Sequence, residues 1–460
     1  MKPSKQIICG ALFVATFNVF SQGGDLENHY KGLNKNHFDS TSKWSYHFQM
    51  TSIFQGHPSF HAAYSGNNSL RDSSETALSL TTTLFLGRKL WKGAGLFFNP
   101  EIAGGKGMSY ALGLAGAANG ETFRIGSPSP QFYVARFFFQ QHFNLKSPKK
   151  DYQEEDVNQL RDSLSPSRIT ISAGKFSVAD FFDDNAYSHD PRSEFMNWAL
   201  MSNGAWDYPA NTRGYTWGFV IELIKPGYAI RASSVLVPLI ANSEIFDLNI
   251  TKSHSEIIEF EKKLKIGGHP GSIRLLAYSN LSTAPAYADA VGRMAKGDSS
   301  LIPVLSGKQQ GPHPGGWKYG FGLNFWQEIT TNMGVFGRLG WNDGHTATWA
   351  FTEIDHTASL GISLKGGKLR RPDDVFGIAC VVNDISQDHY NYLSAGGYGF
   401  MLGDGKLTHY GNENILETFY KFRFLKSLWI TLDYQFILNP GYNADRGPVN
   451  VYSARVHVEI

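Results

Sequence analysis

One stretch of the sequence, residues 176–215, concentrates side chains that can bind a polar solute. It combines carboxylates, guanidinium groups, amides and two tryptophans. The candidate binding residues in it are Asp183, Asn185, Asp190, Arg192, Asn197, Trp206, Asp207, Tyr208 and Arg213. Sugar hydroxyls hydrogen-bond to such groups, and aromatic faces pack under the apolar side of a sugar ring. The stretch therefore favours binding of a hydroxylated solute, with pairing of these charges among themselves as the alternative for any single residue.

Two pairs of adjacent carboxylates, Asp183/Asp184 and Asp373/Asp374, invite comparison with a glycosidase. Its two acids must flank one bond at about 5–10 Å, whereas adjacent side chains usually point apart. The fifteen histidines are scattered, and no Ser/His/Asp arrangement or phosphate-binding glycine loop stands out. After residue 21, Cys380 is the single cysteine, so neither a thiol-based zinc site nor an intramolecular disulfide can form. We predict that the protein is not an enzyme and has no metal site and no cofactor.

Much of the chain alternates between apolar and polar residues, which is typical of strands with one apolar face. The first example has apolar residues at Trp44, Tyr46, Phe48 and Met50. The pattern recurs at 78–86, 217–223, 319–325, 416–422, 428–436 and 452–460. Roughly sixteen such segments of about eight to twelve residues can be found, the length that a tilted membrane strand needs.

Alternation alone fits either a soluble β-sandwich or an outer-membrane barrel, in which lipid contacts the apolar face. The connections favour the barrel, because long and short ones alternate. Long connections lie at 56–75, 103–131, 180–214, 238–254, 280–317 and 383–412, and short ones at 88–93, 225–227, 266–270, 330–332 and 425–427. One connection, Asn144–Ser167, is too long for its place, and a small periplasmic helix would account for it.

The predicted fold class is therefore all-β: a transmembrane antiparallel up-and-down β-barrel of about sixteen strands. A soluble β-propeller would show a repeat of roughly 40–50 residues, and the sequence has none. We expect the loop at 180–214 to fold inward and narrow the channel, which would place its polar residues beside a passing solute. A secreted all-β protein is the alternative.

The N-terminus predicts an export signal peptide at residues 1–21, with Lys2 and Lys5 before an apolar run at 7–20. We expect 22–41 to be a periplasmic segment and 42–460 to form the barrel. The 460 residues include 42 Lys+Arg and 40 Asp+Glu. This balance argues against nucleic acid as a partner, and a mean hydropathy of -0.26 is too polar for a bundle of membrane helices.

Several motifs, in fixed order along nearly the whole chain, resemble those of the carbohydrate-selective porins (OprB-like) of Gram-negative outer membranes. They include Tyr64-Ser65-Gly66-Asn67-Asn68-Ser69-Leu70, Phe182-Asp183-Asp184-Asn185-Ala186-Tyr187, Asn197-Trp198-Ala199-Leu200-Met201, Gly204-Ala205-Trp206-Asp207-Tyr208-Pro209-Ala210, Gly340-Trp341-Asn342-Asp343-Gly344 and Tyr442-Asn443-Ala444-Asp445-Arg446-Gly447-Pro448-Val449.

The resemblance implies a sixteen-stranded barrel through which small carbohydrates diffuse passively into the periplasm. It places the constriction in the loop from Asp183 to Arg213. To these candidates we add Arg136, Glu222 and Arg231 on neighbouring strands, inferred from polar placement and not from a matched motif. The expected partners are transported sugars, outer-membrane lipid and the barrel-assembly machinery, with the protein a monomer or homo-trimer.

Two alternatives to a sugar-selective channel follow from the same residues. The first is a general diffusion pore or a channel for other small solutes. The second is a secreted all-β sugar-binding protein or glycosidase, which would dissolve without detergent.

Overall fold

The computed structural model describes residues 43–122, 129–146, 151–313 and 315–460. The predicted signal peptide and the segment at 22–41 lie outside these residues. Ser45–Ile460 forms one compact unit. In the part of the chain described, none of the helices is both long and apolar enough to span a bilayer.

The described residues form a closed antiparallel barrel of sixteen strands and a separate two-stranded hairpin. In chain order the strands are β1 (Trp44–His57), β2 (Glu75–Lys89), β3 (Ala94–Gly105), β4 (Gln131–Asn144), β5 (Asp151–Gln153), β6 (Asp162–Leu164), β7 (Arg168–Phe176), β8 (Thr216–Lys225), β9 (Tyr228–Val235), β10 (His254–Ile266), β11 (His269–Leu281), β12 (Trp317–Thr330), β13 (Met333–Asn342), β14 (His356–Lys365), β15 (Val375–Asp384), β16 (Glu413–Leu425), β17 (Leu428–Leu438) and β18 (Val449–Glu459).

Each barrel strand pairs with its neighbours along the chain, and β4 pairs with β7 across the inserted hairpin β5–β6. The barrel closes between β1 and β18, from Gln49 opposite Glu459 to Gly56 opposite Tyr452. Among the sixteen described barrel strands, closure leaves no edge unpaired, as hydrocarbon requires. The predicted all-β fold, an up-and-down barrel of sixteen strands, is confirmed.

The barrel is polar inside and apolar outside. On β1, Tyr46 is 58% exposed and Ser45 only 3%, because successive side chains point to opposite faces. Arg338 and Arg455 are fully buried in the interior, whereas Phe321 and Leu432 lie exposed on the outer surface. A continuous band of exposed apolar side chains on a soluble monomer would be unusual, so the band indicates a surface that contacts lipid.

The long and short connections lie at opposite ends of the barrel, as the sequence predicts. The helices lie in the long loops: α1 (Trp198–Met201), α2 (Tyr287–Met294), α3 (Ile302–Leu305) and α4 (Gln387–Ser394), with 3₁₀ turns at Met108–Ala111, Gly120–Thr122, Val178–Asp180 and Pro440–Tyr442. A further 3₁₀ turn, Gly366–Leu369, lies at the short-turn end. The expected periplasmic helix at 144–167 is wrong: this connection contains the hairpin β5–β6.

Candidate functional site

Residues 177–215, here called the inward loop, connect β7 to β8 and fold into the barrel interior. Within the loop, Asn197 caps the short helix α1 by accepting a hydrogen bond from the Ala199 N–H (3.0 Å). The helix contacts β14 and β15 of the wall. The loop thus crosses the barrel interior from its starting strand toward the far wall.

Carboxylates of the wall hold the inward loop by its backbone. Glu417 on β16 accepts hydrogen bonds from the N–H groups of Met196 (2.5 Å) and Asn197 (2.9 Å). Glu259 on β10 accepts one from the Asp183 N–H (2.7 Å). Each buried N–H left without a partner would cost about 1–3 kcal/mol. These wall residues therefore stabilise one path of the loop.

Arg338 on β13 fixes the loop through an ion pair and several carbonyl groups. Its guanidinium contacts the Asp183 carboxylate at 3.0 Å and donates to the carbonyls of Leu200 and Ser188 at 2.7 Å. Both charged side chains are almost completely buried. Because a buried charge needs compensation on all sides, this arrangement anchors the middle of the loop.

Two glycines make room for the loop on the inner face of β13. A Cβ added at Gly334 would lie 2.0 Å from the Tyr187 ring, and one at Gly340 would lie 2.0 Å from the Asn203 Oδ1. Any side chain at either position would displace the inward loop from β13. Glycine is therefore required at both positions, because the loop approaches the strand backbone closely.

The C-terminal part of the inward loop is buried in the interior. The Asp207 carboxylate accepts hydrogen bonds from the N–H groups of Trp349 (2.8 Å), Ala350 (2.8 Å) and Phe351 (3.0 Å). Trp206 is 1% exposed and packs at 5.3 Å, centroid to centroid, from Tyr208. Asp207 therefore holds the inward loop against the backbone at 349–351, while Trp206 packs within the inward loop.

On the opposite side, the inward loop leaves open a cavity of about 890 Å³. Its wall comes from β1–β4, β7–β9 and β18, and the inward loop supplies the facing surface. The charged lining residues are Glu101, Glu121, Arg136, Asp156, Arg168, Asp180, Asp184, Asp190, Arg192, Arg213, Glu222, Arg231 and Glu459. Positive and negative groups thus line the same cavity.

Two arginines on the cavity surface pair with carboxylates across the loop–wall boundary. Arg136 on β4 makes two hydrogen bonds to Asp180, at 2.6 and 2.7 Å. Arg192 bonds Glu121 at 2.9 Å and approaches Glu101 at 3.7 Å. The guanidinium groups are thereby held in fixed orientations with their charge largely neutralised nearby.

Arg213 is oriented by an aromatic ring as well as by an acid. Its guanidinium lies 4.2 Å from the centroid of the Tyr133 ring and 3.0 Å from the Glu244 carboxylate. A guanidinium at this distance from a ring face is attracted by it. Arg213 is therefore fixed on both sides at the edge of the cavity.

Glu101 on β3 is the acceptor around which the hydroxyl groups of the cavity are arranged. The Tyr133 hydroxyl donates to it, as does the Thr83 hydroxyl at 2.5 Å. The Tyr215 hydroxyl lies 3.5 Å away. Carboxylate, phenol and guanidinium groups thus lie close together. They form a surface of closely spaced hydrogen-bond donors and acceptors.

A second ionic cluster lies nearer the short-turn end of the wall. Arg231 on β9 contacts Glu222 (3.1 Å), Glu259 (3.0 Å) and Glu261 (2.9 Å). Arg274 on β11 shares Glu259 at 3.0 Å. These wall residues are thus linked to one another, and Arg231 and Glu222 also line the cavity.

Loop groups beside the cavity have shifted pKa values. For Asp190, burial raises the pKa, but the charge and backbone N–H of Arg192 outweigh it, so the net direction is downward. For Glu121, burial outweighs the neighbouring Arg192 and raises the pKa. One carboxylate is therefore stabilised as the anion, and the other is held closer to its protonated form.

The structure separates the twelve predicted site residues into two groups. Seven line the cavity: Arg136, Asp190, Arg192, Tyr208, Arg213, Glu222 and Arg231. Five are buried among protein partners and do not line it: Asp183, Asn185, Asn197, Trp206 and Asp207. For example, the Asn185 amide donates to the Asn324 Oδ1 at 2.8 Å.

Several cavity residues were missed from the sequence. They include Glu101, Glu121, Tyr133, Asp180, His142, Arg168 and, in the hairpin, Gln153 and residues 156–159. Strand alternation could have found Glu101, because Phe98 and Ile102 point outward and Glu101 therefore points inward. No sequence pattern marks the hairpin as part of the interior.

A sixteen-stranded barrel with a lipid-facing apolar surface, a polar interior and a long inward loop is the architecture of a porin of the outer membrane. Fold and site therefore point to a channel. The sequence model of the family described as "Carbohydrate-selective porin, OprB family" matches residues 67–460, and the chain belongs to this family.

Curated relatives include porin AaxA of Chlamydia abortus, 24% identical over 292 residues, which cover 63% of this chain and 53% of the relative. Porin AaxA of Chlamydia caviae is 25% identical over 289 residues, with the same coverage. The match thus spans about half the length of these relatives.

A solved structure, the high-pH form of Pseudomonas putida OprB, resembles the barrel with a TM-score of 0.65. It is 16% identical and covers 91% of this chain and 94% of that one. At this sequence identity, the similarity shows a shared fold alone.

Proposed function

We propose that this porin lets small carbohydrates diffuse passively and selectively across the outer membrane, and that the cavity is the constriction through which they pass. We further propose that the chain is exported with residues 1–21 as its signal peptide. The observation that carries the proposal is the mixed lining of the cavity, in which guanidinium groups lie among carboxylate and phenol groups.

The pairing of these charges favours sugars over ions. A sugar hydroxyl donates one hydrogen bond and accepts others, so it can use the donors and acceptors of an Arg–carboxylate pair together. A simple ion meets both signs at once and gains little. Because Arg192 is already shared between Glu121 (2.9 Å) and Glu101 (3.7 Å), a sugar replaces only water contacts. Binding therefore stays weak enough for release.

Planar-bilayer recordings with added sugars test this proposal. In wild-type channels we expect glucose and maltose to reduce the ionic current saturably. Arg192→Gln should weaken this block about tenfold, corresponding to about 1.4 kcal/mol of binding free energy. It should also make the channel more cation-selective, because Glu101 and Glu121 lose their counter-charge.

The matched control is Arg293→Gln. Arg293 lies exposed on α2 with Asp298 at 3.5 Å and does not line the cavity, so the same change should leave the block unaltered. The alternative, a general diffusion pore, would show a current that falls with sugar only as the conductivity of the solution falls. That result in wild type would refute the proposed selectivity.

A further inference from the structure

The hairpin β5–β6 enters the barrel from the end opposite to the inward loop. It belongs to the connection after β4, at the end where the other connections are short. Its turn, Asp156–Gln159, is closed by two backbone hydrogen bonds, Asp156 N–H to Gln159 O (3.1 Å) and Gln159 N–H to Asp156 O (2.9 Å). Asn158 adopts a φ of 54°, which asparagine tolerates better than most residues. The tip is thus a tight, defined turn.

The base of the hairpin is bonded to the rim of the barrel. The Ser165 N–H donates to the Asn144 Oδ1 (2.9 Å), and the Leu145 N–H donates to the Ser167 carbonyl (2.9 Å). Both bonds lie where β4 ends and β7 begins. They fix the direction in which the hairpin leaves the wall.

The side of the hairpin rests on the inner face of β2 and β3. Asp162 pairs with Lys89 at 2.9 Å. Leu160 packs against Gly87 and Gly95, where an added Cβ would lie 3.1 and 2.6 Å from its methyl groups. The absence of side chains at these two glycines makes room for Leu160 inside the barrel.

The tip of the hairpin faces the cavity together with polar residues of the wall. Gln153, Asp156, Asn158 and Gln159 line it, opposite Gln140, His142 and Arg168 of β4 and β7. Among the described residues, the Asn158 Oδ1 and the Arg168 Nε are buried and have no hydrogen-bond partner. A buried polar atom without a partner is costly, so these two atoms indicate a place where a solute or water completes the bonding.

We propose that the hairpin tip, with Asn158 and Arg168, is a second sugar-binding subsite at the periplasmic end of the cavity. The inference rests on the proposed function. Its ligand class is a neutral hydroxylated solute, because the Asn158 amide oxygen can accept a hydrogen bond and the Arg168 Nε–H can donate one to the same hydroxylated molecule. A sugar that leaves the site formed by Arg192, Glu121 and Glu101 then meets a second weak site before release.

The test is sugar block of single channels carrying Asn158→Gly. Glycine removes the side chain and accepts the positive φ, so the turn is preserved. We expect the dissociation constant for maltose and maltotriose to rise about threefold or more, with the salt conductance nearly unchanged. Arg168→Gln should act in the same direction, and the double variant should be less than additive because both groups contact one solute.

Asn332→Gly is the matched control, since Asn332 lies in the turn between β12 and β13 at the same end of the barrel and does not line the cavity. If wild type shows saturable block that Arg192→Gln weakens and Asn158→Gly and Arg168→Gln leave unchanged, the second subsite is refuted while the proposed function stands. Absence of block in wild type refutes both. Additive effects of Asn158→Gly and Arg168→Gln would show that they do not share one solute.

Discussion

The two sides of the barrel interior use the same residue types in different ways. Against β10–β17, the inward loop fills the interior, and its polar groups bond to protein: Asp183 to Arg338, Asn197 to Glu417 and Asp207 to the backbone at 349–351. Against β1–β4 and β7–β9, the polar groups pair as well, but they face a cavity. Residue type alone therefore does not distinguish an anchor from a solute contact.

The difference lies in which partner completes the bonding. On the filled side, charged wall residues bond to backbone groups of the loop, so replacing a wall residue leaves buried groups unpaired. On the open side, the paired arginines Arg136, Arg192 and Arg213 line the cavity. Changes on the filled side should therefore affect stability, and changes on the open side should affect passage of solutes.

Arg338→Ala should have the largest effect. It removes one donor from each of the carbonyls of Leu200 and Ser188 and leaves the buried Asp183 carboxylate without its counter-charge. Breaking a buried pair in this way costs about 3–5 kcal/mol, and the released loop should raise the ion conductance. Unfolding by urea in lipid vesicles, with single-channel conductance, measures both effects. Unchanged stability with unchanged conductance would contradict the anchoring role.

Trp206→Ala tests the filled side through packing. We expect a loss of about 3 kcal/mol, since removing a fully buried Trp leaves a cavity. Sugar block per folded channel should change less than in Arg192→Gln, because Trp206 does not line the cavity. The same urea titration and bilayer assay decide this. A selective loss of sugar block at full stability would place Trp206 functionally on the open side.

Arg213→Ala should have the smallest effect on stability. Its partner Glu244 is 54% exposed, and such pairs contribute about 0.2–1 kcal/mol. Block by maltose should nevertheless weaken, because the guanidinium over Tyr133 is lost from the cavity edge. Glu244→Gln serves as its control, since it removes the ion pair and keeps the arginine. Equal sugar block in Arg213→Ala and wild type would exclude Arg213 from the solute path.

The strands were predictable because hydrocarbon outside and water inside force a period of two, as β18 shows from Tyr452 to Val458. The positions within the inward loop were not. Asp183 and Asp184 are adjacent, yet Asp183 is buried on Arg338 and Asp184 lines the cavity and reaches Arg274 at 2.8 Å. That distinction depends on the φ of 57° at Asp183 and on distant wall residues. The hairpin β5–β6 was missed because its strands pair only with each other.

The pairing of β1 with β18 has a consequence for biogenesis. The first strand emerges from the ribosome hundreds of residues before the strand that completes its ladder. Until then the backbone N–H and C=O groups on the free edge of β1 have no hydrogen-bond partner, and lipid cannot supply one. Insertion must therefore coincide with closure of the barrel. The precursor must be chaperoned until its last strand has been synthesised.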